Sequence, residues 1–185
     1  MQNKKSIIFT LIFLIGILFV AAVVTYGLQQ KAVLEERDTE ATQTLNATEE
    51  TPYTNLDGEL FSFTDYRGQV RVVNTWASWS PFSADELKDL ERLAVEYADQ
   101  SVTVIAVNRK ETKEKAAAYL GTLQTFNELV FAIDITDAFY TSVGGYAMPE
   151  TIFYDERGNI VFHQRGVMSY EEMQRQVEAA LAATK

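Results

Sequence analysis

The sequence predicts an α/β fold with a mixed central sheet flanked by helices, preceded by one N-terminal transmembrane helix. From about residue 53 onward, short β-branched runs alternate with stretches of helical periodicity, which is typical of β-α-β units. The last two runs flank a tight polar turn and favour an antiparallel pair, so we expect a mixed sheet. A chain of 185 residues with 47% hydrophobic residues has room for one packed domain plus extensions.

Charge and composition exclude several classes of function. The formal net charge is −10 at pH 7, which argues against non-specific binding to nucleic acid or anionic membranes. The chain contains no cysteine, so it can form neither disulfides nor thiolate metal sites. His163 is the one histidine and is expected on a half-buried strand, without other clustered ligands. We therefore expect no metal site and no cofactor.

The N-terminal segment is predicted to hold the protein to the cell membrane. A run of about 22 residues carries no charge, and at roughly 1.5 Å per residue it spans a hydrocarbon core about 30 Å thick. It is too long for an ordinary signal peptide, although Ala21 and Ala22 leave cleavage as the alternative. Lys4 and Lys5 favour a cytoplasmic N-terminus and an extracytoplasmic domain. The predicted segments are a cytoplasmic N-terminus (1–6), a single-pass anchor (7–28), an extracytoplasmic linker (29–52) and a folded domain (53–185).

The first half of the domain contains a predicted hairpin and a β-α-β unit. A polar turn at Asp57-Gly58 separates two apolar stretches, which indicates the hairpin. A buried strand is predicted over residues 70–75 and a second over residues 102–107, and both are short apolar runs. The helix between them is expected to end near Asp99, because its apolar residues recur at helical spacing. These residues are Leu87, Leu90, Ala94 and Tyr97.

For the second half of the domain, the sequence predicts three helices and three strands. The helices cover residues 111–123 and 137–143 and a C-terminal segment, and the strands cover residues 129–133, 151–155 and 160–164. Gly158 can supply the positive φ that the turn between the last two strands needs. In the C-terminal helix, Ser169 and Glu172 form a predicted capping box, and Met168 and Met173 form a hydrophobic staple. The predicted buried face comprises Met173, Val177, Ala180 and Leu181.

The segment Trp79-Ser80-Pro81-Phe82-Ser83 follows the first buried strand and begins a helix. Taken with four other motifs, it resembles the thioredoxin superfamily and, more narrowly, the membrane-tethered TlpA/ResA branch of thiol-disulfide oxidoreductases, over about residues 53–183. The order and spacing of the five motifs carry the resemblance. The other four are Asp65-Tyr-Arg-Gly68, Val72-Val-Asn-Thr-Trp76, Ala106-Val-Asn108 and Met148-Pro-Glu-Thr151.

The resemblance implies roles for particular residues. The family's two active-site cysteines fall on Ser80 and Ser83, and its cis proline falls on Pro149. An acidic residue that modulates the family's cysteines falls on Glu86, although for this sequence a solvated surface carboxylate is the favoured interpretation. The resemblance also implies that the edge at Met148 lines a groove that pairs with an extended segment of a partner protein; the alternative is that Met148 and Pro149 only maintain the fold.

The two serines also have an interpretation that involves no chemistry. Ser80 is a good N-cap, Pro81 suits the first helical position, and Ser83 can satisfy part of the first turn. A serine nucleophile needs a neighbouring base that a third group orients, and His163 is predicted to lie on the distant terminal hairpin. The sequence therefore gives no support to serine hydrolase activity.

Two functions are compatible with these features. Disulfide exchange requires attack by a thiolate on a disulfide sulfur, and a serine hydroxyl cannot replace it. The first hypothesis is therefore a redox-inactive, non-catalytic module that binds an extracytoplasmic protein or extended peptide. Its binding residues would be Trp79, Pro81, Phe82, Met148 and Pro149. The alternative is a member of the thiol-disulfide oxidoreductase family in which serines were introduced in place of the cysteines.

Overall fold

The computed structural model describes residues 16–17, 19–33 and 52–183. The chain divides into two units, Met1–Thr44 and Leu45–Lys185. In the first unit, residues 19–33 form an α-helix, α1. Within the described parts of the chain, no helix combines the length and the apolar content needed to cross a bilayer. The start of the predicted anchor (7–28) and most of the predicted linker (29–52) lie outside the described residues.

The second unit contains strands and helices in the predicted order. Each predicted element is present, and the bounds differ by a few residues at most ends. The strands are β1 (Tyr53–Thr54), β2 (Leu60–Phe61), β3 (Val70–Trp76), β4 (Val102–Arg109), β5 (Val130–Asp134), β6 (Glu150–Tyr154) and β7 (Ile160–Arg165). The helices are a 3-10 helix (Phe63–Tyr66), α2 (Ser83–Tyr97), α3 (Lys113–Leu120), α4 (Ala138–Ser142) and α5 (Tyr170–Ala183).

The seven strands form one mixed sheet in the order β2-β1-β5-β4-β3-β6-β7. Strands β3, β4 and β5 are parallel, whereas β6 is antiparallel to β3 and β7 is antiparallel to β6. The predicted hairpin of β1 and β2 is also present, and Gly58 in its turn has a φ of 90°. The expectation of a mixed sheet covered by helices is confirmed.

Two hydrophobic clusters pack against the opposite faces of this sheet. Successive strand residues point to opposite faces, so Val72 belongs to one cluster and Val73 to the other. Val72 packs in the cluster that includes residues of α2 and α5. Val73 packs in the cluster that includes Phe63 of the 3-10 helix and Phe139 of α4. Each fully buried aliphatic side chain stabilises the fold by roughly 1.5–3 kcal/mol.

Two helices differ from their predicted ends in informative ways. Helix α3 was expected over residues 111–123 but covers only Lys113–Leu120, because the Thr112 hydroxyl accepts a hydrogen bond from the Lys115 N–H and caps the helix there. Helix α5 has one of the two hydrogen bonds of its predicted capping box, since the Ser169 hydroxyl accepts from the Glu172 N–H, whereas the Glu172 carboxylate binds Gln176 and Arg175. Met173 is fully buried in α5, as predicted.

Candidate functional site

The candidate site lies where β3 ends and β6 begins, at the ends of two inner strands of the sheet. We call this end of the sheet the edge. Because the two strands are antiparallel, Thr75 near the end of β3 is paired with Glu150 at the start of β6. The segment after Trp76 and the segment before Glu150 therefore meet at the same edge. The Met148–Pro149 peptide bond is cis, as the resemblance implied.

The turn that leads into α2 differs from the prediction. Helix α2 begins at Ser83, with Phe82 at the N-cap position and no side-chain cap. The N–H of Ser83 donates to the Ser80 carbonyl at 3.3 Å, and the α-helical pattern begins with Glu86 N–H and the Phe82 carbonyl. A single i to i+3 turn therefore precedes the helix. The predictions of Ser80 as N-cap and Pro81 as first helical residue are wrong.

The two serine hydroxyls have different environments, and both are buried. The Ser83 hydroxyl accepts a 3.4 Å hydrogen bond from the Ala77 N–H, so it satisfies the end of the strand rather than the first turn of the helix, as had been expected. The Ser80 hydroxyl has no hydrogen-bond partner among the described residues. His163 contacts Glu150 instead of either serine. The site thus lacks the base that a serine nucleophile requires.

Glu111 anchors the turn from the neighbouring strand. Its carboxylate accepts hydrogen bonds from the Ser78 N–H at 2.8 Å, the Ser78 hydroxyl at 2.6 Å and the Asn108 side-chain amide at 2.9 Å. Burial opposes its charge, but hydrogen bonds from Lys115, Ser78 and Asn108 outweigh this and lower the pKa of Glu111 to about 2. Sequence reasoning missed this residue, because Ser78, the turn residue that it binds, is 33 positions away in the sequence.

Glu86 is buried, so the expectation of a solvated surface carboxylate is wrong. The Thr151 hydroxyl donates to it at 3.5 Å, and the Asn74 side-chain amide donates to that same hydroxyl at 2.9 Å. Burial raises the pKa of Glu86 to about 8, although the hydrogen bonds from Asn74 and Thr151 act in the opposite direction. The residue links the first turn of α2 to the strand that follows the cis proline.

Glu150 fixes the loop before the cis proline from within the protein. Its fully buried carboxylate accepts hydrogen bonds from the N–H of Tyr146 at 2.5 Å and from the N–H of Ala147. The second carboxylate oxygen lies 2.7 Å from Nε2 of His163. His163 is half-buried on β7, as expected, but its pairing with Glu150 was not predicted. In the sequence, the one sign of this role for Glu150 was that an acidic residue directly follows the proline.

A second set of contacts holds the same loop from the side of β4 and α4. The Tyr140 hydroxyl donates to the Ala147 carbonyl at 2.9 Å, and the Arg109 guanidinium lies 3.2 Å from the centre of the Tyr140 ring. Asp137 accepts two hydrogen bonds of 2.6 Å from Arg109. Such bidentate pairs are geometrically specific. The loop is therefore held by two polar clusters.

The backbone groups on either side of Met148 are hydrogen-bonded within the protein. The N–H groups of Tyr146 and Ala147 bind Glu150, and the Pro149 carbonyl accepts a hydrogen bond from Gly166. Within the described part of the chain, both backbone groups of Met148 are left without a partner. An unpaired N–H and C=O on one residue can bind the backbone of an added strand.

Large apolar side chains are exposed around this edge. Trp79 is 59% exposed, Tyr146 is 84% exposed, and Phe82 and Pro81 are also exposed. Met148 is half-buried and Pro149 is buried. Tyr146 was not among the predicted binding residues, although an aromatic residue three positions before the proline could have suggested it. Aromatic residues of this kind are enriched at protein interfaces.

No metal-binding group is present among the residues that the structure describes, since no three His, Asp or Glu side chains are placed to share an ion. Glu111 and Glu150 instead bind backbone N–H groups and neighbouring side chains.

Comparisons with known proteins agree with this geometry. Residues 38–181 match the family described as Redoxin. The chain is 30% identical to the thiol-disulfide oxidoreductase ResA of Geobacillus thermodenitrificans, over 68% of this chain and 71% of that protein. It is 29% identical to the thioredoxin-like protein YneN of Bacillus subtilis, over 66% of this chain and 72% of that protein.

A solved structure shows the same fold. The structure of DsbF from MTB, in mixed oxidised and reduced forms, has a TM-score of 0.65 and 23% identity. It covers 72% of this chain and 97% of the DsbF chain. At this identity the likeness establishes the fold. With the family match and the cis proline, it follows that the chain belongs to the Redoxin family of thioredoxin-like proteins and is homologous to ResA- and DsbE-type thiol-disulfide oxidoreductases.

Proposed function

We propose that this chain is a redox-inactive member of its family, which binds an extended segment of an extracytoplasmic protein at the edge formed by Met148 and cis-Pro149. The observation that carries the proposal is the unpaired backbone of Met148 beside exposed aromatic side chains. An added strand would form two hydrogen bonds with Met148, and its side chains would pack on Trp79 and Tyr146.

The proposed lack of redox activity follows from the chemistry of the two serines. Disulfide exchange passes through a covalent mixed disulfide, and the chain has no sulfur that could form one, because methionine thioethers carry no thiolate. Ser80 and Ser83 occupy the positions of the family's cysteines and are buried. A buried hydroxyl without a base remains protonated and unreactive. Binding at the neighbouring edge does not depend on these groups.

The proposal includes a location at the outer face of the cell membrane. Its support is the uncharged run of residues 7–28, which is long enough to span a bilayer. The linker of residues 29–52 would then hold the domain close to the membrane surface. A partner at this location would be a membrane-bound or secreted protein with an accessible extended segment.

Site-specific photo-crosslinking tests the binding edge. A benzoylphenylalanine is placed at Phe82 or Tyr146 of the 185-residue chain in its membranes, and at Val95 as the control, because Val95 is 56% exposed on the same helix as Phe82. We expect one shared crosslinked protein from Phe82 and Tyr146 and none from Val95. In a Trp79→Ala background the yield should fall. Equal crosslinking at all three positions would contradict the proposal.

The family relationship favours a second candidate. Relatives such as the ResA protein of Geobacillus thermodenitrificans are named thiol-disulfide oxidoreductases, and the buried Glu86 lies in the first turn of the helix that would carry the cysteines. On this alternative, the natural protein exchanges disulfides and serines were introduced at Ser80 and Ser83. Genomic sequencing separates the two, because cysteine codons at both positions would reject the first proposal and serine codons would reject the second.

A further inference from the structure

The single histidine of the chain is in contact with the residue that holds the proposed binding edge. Nε2 of His163 lies 2.7 Å from one oxygen of Glu150, and the other oxygen binds the N–H groups of Tyr146 and Ala147. When Glu150 is ionised it can only accept hydrogen bonds, and Nε2 of His163 is then the donor in this contact. The imidazole is therefore one side chain away from the backbone that presents Met148.

The carboxylate of Glu150 has few other sources of positive charge. It is fully buried, and burying an unpaired charge is costly. On the side of α4 and β4, Tyr140 is neutral and Arg109 is already bound to Asp137. On β7, Arg165 is opposite Glu150 in the strand register but is exposed. Among the described residues, His163 is the cation-forming group in direct contact with Glu150.

We propose that His163 is a positioning residue, which couples protonation of the imidazole to the order of the Tyr146–Met148 edge. A histidine side chain ordinarily changes charge between about pH 5 and 8. When His163 is protonated, its N–H makes a charge-assisted hydrogen bond and neutralises Glu150, which keeps both backbone N–H groups in place. When it is neutral, the countercharge is lost and the edge is held less tightly. The consequence for partner binding rests on the proposed function.

The coupling can be measured without a partner. We would follow backbone amide and imidazole signals of the 185-residue chain in detergent micelles by NMR, between pH 5 and 8. We expect the amides of Tyr146 and Ala147 to shift with the same midpoint as the His163 ring. Their exchange with solvent, corrected for the intrinsic pH effect, should be slowest when the ring is protonated.

Three variants separate positioning from simple packing. His163→Gln keeps a donor without a titration, so the two amides should stay protected and lose their pH response. His163→Leu removes the donor and should accelerate their exchange roughly tenfold. Gln164→Leu is the matched control, because Gln164 is next to His163 on β7 and its side chain points to the opposite face of the sheet. This variant should behave as the wild type.

Two results would overturn the inference. One is a wild-type protein in which the Tyr146 and Ala147 amides do not respond to titration of His163. The other is a folded His163→Leu variant with unchanged amide exchange. If the amides respond as expected but the crosslinks at Tyr146 are absent at every pH, the coupling stands and the proposed binding function fails.

Discussion

Glu150 and Thr151 are neighbours on β6, yet their side chains bind partners on opposite faces of the sheet. Glu150 contacts His163 on one face, and Thr151 hydrogen-bonds Glu86 and Asn74 on the other. They are the first and second residues after cis-Pro149. The strand that begins at the proposed binding edge is thus held from both sides, and a change on either face reaches the same short segment.

Replacing Glu86 by Gln should stabilise the protein at alkaline pH. The pKa of Glu86 is raised from 4.5 to about 8, so its protonation favours the folded state, and this stabilisation is lost as pH rises from about 4.5 to 8. The variant keeps the volume without the charge. Chemical denaturation should show little difference at pH 5 and a gain of roughly 2–5 kcal/mol for Glu86→Gln above pH 8.

Asp85→Asn is the control for this experiment, because Asp85 is an exposed carboxylate in the same first turn. Its unfolding free energy should follow that of the wild type at each pH. If the unfolding free energies of Glu86→Gln and the wild type changed with pH in parallel, ionisation of the buried carboxylate would not destabilise the fold, and the prediction would be wrong.

Replacing Glu111 by Gln should have the opposite pH dependence. The pKa of Glu111 is lowered to about 2, so its stabilising contribution is complete above about 4.5 and is lost as pH falls towards 2. Thermal or chemical unfolding should show that the variant is less stable by about 1.5–3 kcal/mol at pH 7. The difference should narrow in acid. The control variant Glu128→Gln, at an exposed carboxylate, should not lose stability in this way. If the loss for Glu111→Gln were the same at every pH, the lowered pKa of Glu111 would not explain it.

The order of the strands and helices was accessible from the sequence because each element carries its own periodicity. The alternation of Val72 and Val73 between two faces and the helical spacing of Leu87 and Leu90 are local signals. The cis Met148–Pro149 bond was accessible only through resemblance to a family. Element ends were less accurate, because caps such as Thr112 compete with equally suitable neighbours.

The polar framework of the site was largely missed. Glu111 binds Ser78 in the turn after β3, and His163 binds Glu150 on β6; the register that joins β6 to β7 cannot be read from either strand alone. Glu86 is different, because it lies four residues before Leu90 and one residue before Leu87 on the buried face of α2. Helical spacing could have identified it as buried. The general tendency of charged residues to be exposed outweighed that signal.

Cysteines at positions 80 and 83 should make the protein competent in disulfide exchange. Glu111 holds the preceding residues and α2 begins at 83, so the turn is already formed, and the helix N-terminus stabilises a thiolate. We expect the Ser80→Cys, Ser83→Cys double variant to reduce insulin with dithiothreitol, and the wild type to show no rate above background. The Ser83→Cys single variant is the control. A folded but inactive double variant would contradict this prediction.

The two tryptophans should differ sharply when replaced by alanine. Trp76 is fully buried and stacks with Tyr119, so Trp76→Ala should lower the unfolding free energy by about 3–5 kcal/mol. Trp79 is exposed, and Trp79→Ala should change it by less than about 0.5 kcal/mol. Denaturation curves measure both. A large loss for Trp79→Ala would mean that this side chain supports the fold rather than a partner.

The attachment of Ser78 to Glu111 has a consequence for substitutions at positions 80 and 83. The Glu111 carboxylate, which follows β4, holds the turn by binding the backbone N–H and the hydroxyl of Ser78, and Ser78 precedes position 80. A substitution at position 80 or 83 therefore leaves this anchor of the turn untouched, because neither residue takes part in it.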